Sequence, residues 1–364
     1  MTIELITNYD EFVALEPVWD ELVFLSGYPH LNLTFKWIDS WINVFWKDEP
    51  LYFLMAKDAG KIIGIAPLVI HTTRRPFRMR QLMFAASGVS DFSGFIIKEN
   101  SQMVIEKFFL HLMKNSDKWD NINLRNISDR GYGNSLDNEN LNGNDFQQDI
   151  VPGYVCPEIS LLCGYDQYSS HLSNKLKSDL RKKRNKLETL GPLSFSVHSK
   201  ITASLFQYFA NLEKNRKKNR LSFHDLFLHS EKKEFAYSVM KNYSLLNDLK
   251  IFVLEQNSKI LSYIIGFEIK GIMYFWTTSF SQEFGKYSPG MLIFQDAIKY
   301  CFDAGIEKID FMAGQNDYKL RWSNNSYQLF NLNLTHKSLK TNFYKLNINT
   351  KKGLSKIKNR FSHS

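Results

Sequence analysis

The sequence predicts an α/β (α+β) fold in which two similar units each have a mixed, mostly antiparallel sheet flanked by helices. Two stretches, YFLMAKDAGKIIGIAPL at 52–68 and IFVLEQNSKILSYIIG at 251–266, each contain a β-rich strand, a polar turn, a lysine and a second β-rich strand. This pattern is typical of a β-hairpin. Each hairpin is followed by a strand, a helix and another strand, and 364 residues with 44% hydrophobic content can fill two cores of ordinary size.

The spacing of the elements after each hairpin favours a duplication of one α/β unit. The predicted helices and strands are 101–114 with 122–127, and 290–304 with 306–312. The step from Ser101 to Leu124 is 23 residues, and the step from Ser288 to Phe311 is also 23 residues. A common succession of elements can arise by chance, but equal spacing of unlike sequences favours two copies.

The two copies divide the chain into two units and a tail. The first unit spans 1–155 and begins with the helical patterns EFVALEPVWDELVFL and FKWIDSWINVFW. It ends in an Asn-, Asp- and Gly-rich segment, 127–148, which is a predicted surface loop. The second unit spans 156–336, and residues 337–364 are the tail. Before its sheet, the second unit has three predicted helices, at 166–190, 201–216 and 224–243.

The net charge of +9 is concentrated in the tail. Between Lys337 and Arg360 there are eight Lys and Arg residues and no acid, so the rest of the chain has 38 basic against 37 acidic residues. We therefore expect the tail to contact anionic surfaces, and we expect no specific nucleic-acid partner. The stretch SNKLKSDLRKKRNKLETLG at 173–191 is a predicted basic helix, either a solvated helix face or an anion site.

Composition also predicts a cytoplasmic protein without a metal site. The N-terminus, MTIELITNYDEF, lacks the basic and apolar segments of a signal peptide, and apolar runs such as IIGIAPLVI are far shorter than the ~20 residues that span a bilayer. The three cysteines, Cys156, Cys163 and Cys301, form no CxxC pair, which predicts reduced thiols. The sequence leaves the oligomeric state open.

Ser288, Pro289 and Gly290 precede the helical pattern MLIFQDAIKYCF and suggest a phosphate site. Serine is favoured at a helix N-cap and proline in the first turn, while glycine leaves its amide unshielded. Amides at a helix N-terminus suit an anion such as a diphosphate, although capping alone also explains the motif. Gln102 and Met103 stand at the matching point of the first unit. We therefore expect one ligand site per chain, in the second unit.

Several segments of the chain together resemble the GNAT acyltransferase superfamily. They are the basic helix ending in LRKKRNKLETLG, the strand YFWTTSF, the turn with SPGMLI, and KIDFMAG followed by DYKLRW. The pattern D-F-x-x-G-x-x-x-Y-K-x-x-W from Asp310 to Trp322 is the most specific part, and FKWIDSW and SDFSGFII extend the resemblance into the first unit. Within the superfamily, the sequence resembles the cellulose-biosynthesis (CelD/BcsL-like) acetyltransferases, which are related to Fem-type peptidoglycan aminoacyltransferases.

The resemblance implies a tandem pair of GNAT units with acetyl-CoA or another acyl-CoA as the acyl donor, and no metal. A backbone N–H along Trp276–Ser279 would polarise the thioester carbonyl. The glycine-rich loop usual in the superfamily is reduced here to Gly285 and Gly290. The residues that would bind CoA are Trp276, Thr277, Ser288, Pro289, Gly290 and Met291.

Acyl transfer to an amine needs an acid for the leaving thiolate and a base for the amine. Tyr318 follows the last core strand and is the predicted acid or a contact beside the thioester; alternatively it is a packed tyrosine. Asp310 and Asp91 are predicted bases. If Asp310 is buried on its strand, it either forms an ion pair with Lys319 or Arg321, or has a raised pKa. Asp91, in GVSDFSG, would reach a cleft between the two units.

Three further residues are predicted contacts for the acceptor: Lys319, Trp37 and His224. Lys319 follows Tyr318 and would orient the acceptor or the nearby acid, and Trp37 lies in the FKWIDSW segment. His224 is also a third candidate base, because it stands at a predicted helix N-terminus after a basic run; alternatively it is a surface residue.

The sequence therefore predicts a CoA-dependent N-acyltransferase that acetylates or otherwise acylates the amine of a small molecule, such as an amino sugar. Two alternatives stay open. One is a Fem-like transferase that takes an aminoacyl group from tRNA, for which the basic helix would contact phosphates. The other is a non-catalytic binding protein with a degenerate acyl site. The nearly neutral body argues against the first alternative, and the intact SPG turn argues against the second.

Overall fold

A computed structural model describes residues 1–73, 78–130, 146–216, 226–227, 229–337 and 341. Of the sequence predictions, His224, most of the polar segment 127–148 and nearly all of the basic tail lie outside the described residues. Among the helices within these ranges, none is both long and apolar enough to cross a membrane.

The described chain alternates between strands and helices, with two helix-rich segments that precede the two hairpins. The strands are β1 (Thr2–Ile6), β2 (Phe53–Asp58), β3 (Lys61–Ala66), β4 (Leu68–Thr73), β5 (Met79–Phe84), β6 (Ile96–Ile97), β7 (Asn121–Ser128), β8 (Phe146–Ser160), β9 (Leu193–His198), β10 (Leu249–Gln256), β11 (Lys259–Ile269), β12 (Ile272–Phe280), β13 (Lys308–Asp310) and β14 (Asn325–His336). The helices are α1 (Tyr9–Val13), α2 (Glu16–Leu25), α3 (Phe35–Phe45), α4 (Ser101–Lys114), α5 (Tyr165–His171), α6 (Asn174–Glu188), α7 (Ala203–Arg216), α8 (Ser230–Leu245), α9 (Pro289–Asp303) and α10 (Asp317–Leu320).

These strands form a small sheet and a large one. The small sheet has the order β1-β2-β3-β6, and the large sheet has the order β4-β5-β7-β14-β8-β13-β12-β11-β10-β9. Two neighbouring pairs, β5 with β7 and β12 with β13, are parallel, and the other described pairs are antiparallel. The predicted α/β class with mixed, mostly antiparallel sheets is confirmed.

The topology repeats along the chain. In each half an antiparallel hairpin, β2–β3 or β10–β11, is followed by a parallel pair whose strands are connected through one helix, α4 or α9. Both helices also begin after a residue in the left-handed conformation, Asn100 with φ 53° and Ser288 with φ 52°. The repeat seen in the sequence is therefore matched by a repeat of strand order and helix entry.

Two long strands connect the halves. β14 pairs with β7 on one side and with β8 on the other, and β8 also pairs with β13. The predicted boundary between 155 and 156 lies inside β8. The division into two separate domains therefore stays a prediction, because strands of both halves share one sheet.

An apolar core fills the junction between the halves. It combines Trp37 and Phe92 from the first half with Phe235, Tyr263 and Tyr274 from the second. Two other cores lie on the outer sides, one built around α4 and the other around α9. Residues of both halves therefore share one apolar core at the junction.

Two predicted elements differ from the structure for local reasons. The predicted helix 166–190 is divided into α5 and α6, because Leu172 is extended and Ser173 is an N-cap whose side chain accepts a hydrogen bond from the Leu176 amide. The predicted strand 306–312 is only three residues long, since the backbone turns left-handed at Met312, with φ 61°. This turn is part of the candidate site.

Candidate active site

A cavity of about 150 Å³ opens where two parallel strands of the second half separate. β12 and β13 pair only over Ile272–Tyr274 and Lys308–Asp310; beyond this point β12 continues to Phe280 while the chain turns away after β13. The cavity walls come from β11, β12, α9, the end of β13 and α10. Its lining residues are Ile264, Phe275, Trp276, Thr277, Thr278, Phe294, Phe311, Tyr318 and Lys319.

A β-bulge at Trp276 shapes one wall of the cavity. Opposite β12, Ile265 pairs with Thr277 and Gly266 pairs with Phe275, so Trp276 is the extra residue. A side chain at position 266 would place its Cβ 3.0 Å from the Tyr274 carbonyl oxygen, which explains the glycine. A bulged residue is left out of the regular ladder, so its backbone groups are available to a ligand. Trp276 and Thr277, the predicted donor contacts on this strand, both line the cavity.

The short helix α10 places Tyr318 and Lys319 on another wall. The Tyr318 ring packs on Phe294, with ring centroids 5.4 Å apart. The Lys319 side chain is 7% exposed, and its Nζ donates hydrogen bonds to the carbonyl oxygens of Met312 at 3.3 Å and Ala313 at 2.7 Å. Burial lowers the pKa of Lys319, although the nearby Asp91 carboxylate partly opposes this shift. The structure thus brings together two of the three residues that the motif places at one site.

Asp310, the third, points to the other face of the sheet and is 0% exposed. Its Oδ1 accepts a hydrogen bond from the Met312 amide at 2.7 Å, and its Oδ2 accepts one from the Tyr327 hydroxyl at 2.9 Å. Burial raises the pKa of Asp310 to about 6. It forms no salt bridge with Lys319 or Arg321. Among the described residues, the only basic side chain with a nitrogen within 4 Å of its carboxylate is His30, whose Nε2 lies 3.8 Å from Oδ2. Asp310 does not line the cavity, so its predicted role as the base stays a prediction that this geometry does not support.

The first half contributes two predicted residues to the surroundings of the site. Asp91 is half-buried, and its charge raises the pKa of Lys319, as expected for a residue that reaches the second half. Trp37 is fully buried, donates its indole N–H to Ser90 Oγ at 2.7 Å, and packs edge-on against Trp276 with centroids 5.5 Å apart. Trp37 therefore packs behind the bulge, and its predicted contact with the acceptor stays a prediction.

The N-terminus of α9 has a basic partner on α6. Lys183 Nζ donates hydrogen bonds to Ser288 Oγ at 2.7 Å and to the Lys286 carbonyl oxygen at 3.2 Å. Ser288 stands at the N-cap position, but its side chain forms no capping hydrogen bond, in contrast to the prediction. A positively charged side chain thus lies beside the positive end of the helix dipole, an arrangement that suits an anion.

Pro289, Gly290 and Met291 form the first turn of α9. Pro289 is buried, and its carbonyl oxygen accepts a hydrogen bond from Ser262 Oγ at 3.0 Å. A Cβ at position 290 would lie 3.3 Å from the Phe280 ring, so this glycine makes room for Phe280. Gly290 thus has a packing role, and its predicted contact with phosphate stays a prediction. The amide of residue 290 still lies in the first turn, where amides have no helical partner.

Sequence reasoning counted Lys183 only as one charge of the basic helix, yet a signal for its role was present. α6 buries Leu176, Leu180 and Leu187. Lys183 follows Leu180 by three residues and precedes Leu187 by four, so it shares their face of the helix. A lysine in an apolar stripe indicates a specific partner. His30 and Tyr327, the neighbours of Asp310, gave no such signal, because they are far from it in the chain.

Comparison with known proteins agrees with this geometry. Residues 174–320, which include α6 to α10, match a family model described as an acetyltransferase (GNAT) domain. A comparison with curated proteins finds no match. Among the described residues, no group of three His, Cys, Asp or Glu side chains could hold a metal ion.

Solved structures are similar over nearly the whole chain. FemX has a TM-score of 0.64 at 13% identity, covering 95% of this chain and 99% of its own. A conserved protein of unknown function from Bacteroides thetaiotaomicron has a TM-score of 0.55 at 13% identity, covering 92% and 100%. L-PGS from Bacillus licheniformis has a TM-score of 0.51 at 11% identity, covering 83% and 88%. At these identities the likeness shows the fold alone.

The family match and the fold agree on the part of the chain that carries the cavity. The narrower assignment to the CelD/BcsL-like branch stays a prediction. Residues 174–320 match the model of a GNAT acetyltransferase domain, and this match identifies the protein as an acyltransferase.

Proposed function

We propose that the protein is a CoA-dependent N-acyltransferase that transfers an acyl group from a thioester to the amine of a small molecule, with amino sugars among the first acceptors to test. The cavity between the separating strands carries this proposal. It lies within the acetyltransferase-like residues and has a bulged strand on one wall and a buried lysine on another.

The shape of the site suits the two ends of an acyl-CoA. A cavity of about 150 Å³ is smaller than the ~300–1,000 Å³ pockets that enclose whole ligands, so it would take only the reacting end. The diphosphate would lie at the N-terminus of α9, where Lys183 and the first-turn amides supply positive charge. The nucleotide would then lie outside, beside the exposed basic residues of α6.

The cavity residues can share the chemistry of acyl transfer. The amine nitrogen attacks the thioester carbonyl carbon, the C–S bond breaks, and the amine loses a proton while the thiolate gains one. The bulge backbone and the Lys319 ammonium would stabilise the negative charge on the carbonyl oxygen. Tyr318 would give a proton to the thiolate, and Asp91 would take one from the amine, directly or through water. No covalent intermediate with the protein is needed.

A free-thiol release assay tests this function. Acetyl-CoA is incubated with the protein and pooled amino sugars and amino acids, and each product is identified by mass spectrometry. We expect acceptor-dependent release of CoA and a product heavier by one acetyl group, with Lys319→Met as the inactive control. Release that is equal with and without acceptors, or equal in the variant, would contradict the proposal.

A second candidate is transfer of an aminoacyl group from tRNA, as in the Fem-type enzymes that the sequence resembles. The likeness to FemX over 95% of the chain supports it, as does a run of exposed bases on α6. These bases are Lys175, Arg181, Lys182 and Lys186. An assay with tRNA that carries a radiolabelled amino acid separates the two candidate functions. Transfer of the label from tRNA to an acceptor, without acyl transfer from acyl-CoA, would favour the second candidate.

A further inference from the structure

The left-handed turn after β13 is held by the buried Asp310. Residues with a side chain rarely adopt φ near +60°, and Met312 has φ 61°. Asp310 Oδ1 accepts the Met312 amide at 2.7 Å, and the Gly314 amide donates to the Val155 carbonyl oxygen at 3.0 Å. The turn is therefore fixed at its start by a carboxylate and at its end by the neighbouring strand β8.

The carbonyl groups of the same turn hold the cavity lysine. Lys319 Nζ donates to the Met312 carbonyl oxygen at 3.3 Å and to the Ala313 carbonyl oxygen at 2.7 Å. These two carbonyl groups come directly after the Met312 amide, which donates its hydrogen bond to Asp310. A continuous series of hydrogen bonds thus runs from a carboxylate on one face of the sheet to an ammonium on the cavity wall.

Asp310 is itself held from both halves of the molecule. Tyr327 on β14 donates its hydroxyl to Oδ2 at 2.9 Å. His30 accepts the Asn32 amide at Nδ1, so the neutral ring carries its hydrogen on Nε2, which lies 3.8 Å from the same oxygen. The titratable groups whose charges act on Asp310 or respond to it are Tyr28, His30, Glu158, Cys156, Tyr274, Lys308, Lys319 and Tyr327.

We propose that Asp310 is a positioning residue for Lys319: through the Met312 amide it fixes the turn whose carbonyl groups hold the Lys319 ammonium at the cavity. The consequence for turnover rests on the proposed function, since it assigns Lys319 to the reacting carbonyl. The structural part does not rest on it. Asp310 does not line the cavity, so in this proposal it acts through Lys319 alone.

Chemical labelling of Lys319 tests the structural part without any substrate. The protein is treated with acetic anhydride at pH 8, and labelling of Lys319 is measured by peptide mass spectrometry relative to the exposed Lys175. Without its carbonyl partners the amine is either less protonated or more accessible, and both changes accelerate labelling. We expect Asp310→Ala to accelerate it at least ~tenfold, the change that one pKa unit gives. Asp310→Asn keeps an acceptor for the Met312 amide and should rescue most of this change.

Glu158→Gln is the matched control. Glu158 is also a buried carboxylate, lies directly opposite Asp310 in the β8–β13 pair, and bonds Arg130 instead of the turn. We expect this variant to label Lys319 at the wild-type rate, whatever its loss of stability. Equal acceleration in Asp310→Ala and Glu158→Gln would show general loosening and overturn the proposal, and so would an unchanged rate in Asp310→Ala.

Two further measurements complete the test. If Asp310→Ala does not fold, Tyr327→Phe replaces it, because it removes one bond to the carboxylate; faster labelling supports the proposal and an unchanged rate overturns it. In the thiol-release assay, Asp310→Ala should lower kcat with little change in the KM for acetyl-CoA. A wild-type protein without turnover would contradict the proposed function, while the labelling results would still decide the role of Asp310.

Discussion

The buried Lys319 ammonium donates hydrogen bonds to two carbonyl groups and is favoured by the charge of Asp91, although burying a charged amine is unfavourable. We expect Lys319→Met, which keeps most of the length of the side chain but removes the charge, to lower turnover by ~10²–10³-fold, the usual loss for one group that stabilises a carbonyl oxygen. Its melting temperature should stay equal or rise, since the buried charge is removed.

Lys299→Met is the control for that substitution, because Lys299 is exposed, pairs with Asp303 on the same helix, α9, and does not line the cavity. Thiol release and thermal unfolding are measured for both variants. A large fall in melting temperature for Lys319→Met with unchanged turnover would show that the lysine has a structural role instead.

Tyr318 allows its hydroxyl to be separated from its ring. Tyr318→Phe keeps the packing on Phe294, so we expect an unchanged melting temperature. If the hydroxyl protonates the leaving thiolate, turnover should fall by ~10²–10⁴-fold. The measurement is thiol release with acetyl-CoA, and thioester analogues with a more acidic leaving thiol should restore part of the rate. If the variant keeps full turnover, the proton for the leaving thiolate comes from water and not from Tyr318.

Burial of Asp310 makes a pH-dependent contribution to stability. Its pKa is raised from 3.8 to about 6, so the folded state binds its proton more tightly than the unfolded state. This stabilisation is fully present below pH 3.8 and is lost as the pH rises through 6. The free energy of unfolding of the wild type minus that of Asp310→Asn should therefore decrease by ~2–3 kcal/mol between pH 4 and pH 7.

Urea unfolding of both proteins at the two pH values measures this difference. Burial lowers the pKa of His30, so the stability that His30 contributes is lost as the pH falls. His30 is present in both proteins, so most of this effect cancels in the difference. A difference that is constant or increases with pH would show that Asp310 is ionised throughout.

At single residues, the motif could predict that Tyr318 and Lys319 lie together but not which way Asp310 points. Side chains along β13 alternate between the two faces of the sheet. Because Ile309 and Phe311 face the core around α9, Asp310 must face the other way. What that other face contains could not be predicted, because His30 and Tyr327 come from distant parts of the chain.

At the scale of elements, the contact between α6 and α9 decides where a phosphate group would bind. We expect Lys183→Ala to weaken CoA binding by roughly tenfold to hundredfold, the range for losing one hydrogen bond to a charged group. Lys182→Ala is the matched control, because Lys182 is the adjacent base on the exposed face. Calorimetry with CoA checks both variants, and equal weakening in the two would indicate general charge attraction instead of a specific contact.

The elements themselves were largely predictable, because local patterns specify them. The hairpins, the helices α4 and α9 and the basic helix α6 lie close to their predicted positions. The bulge at Trp276 and the left-handed turn at Met312 were not predictable, since they arise from pairing with β11 and from the Asp310 carboxylate. These two irregularities are the features that shape the cavity.

At the scale of the whole molecule, the halves share strands more closely than a simple duplication suggests. The sequence repeat correctly indicated two copies of one topology. It could not show that β14, at the end of the chain, would pair with β7 of the first half as well as with β8. Strand pairing over this distance depends on the complete sheet, which no local pattern records.

The shared strands predict that the halves cannot fold separately. A chain ending at 155 would cut β8 and remove β14, leaving Ile122 and Leu124 without Leu332 and Leu334, their partners in one core. We expect 1–155 and 156–364, produced separately, to lack a cooperative unfolding transition by circular dichroism. A chain of residues 1–341 is the control, because it keeps both strands and the buried Thr341, and it should unfold in one transition like the full chain. Cooperative unfolding of 1–155 alone would show instead that the first unit is an independent domain and that the boundary predicted from the sequence holds.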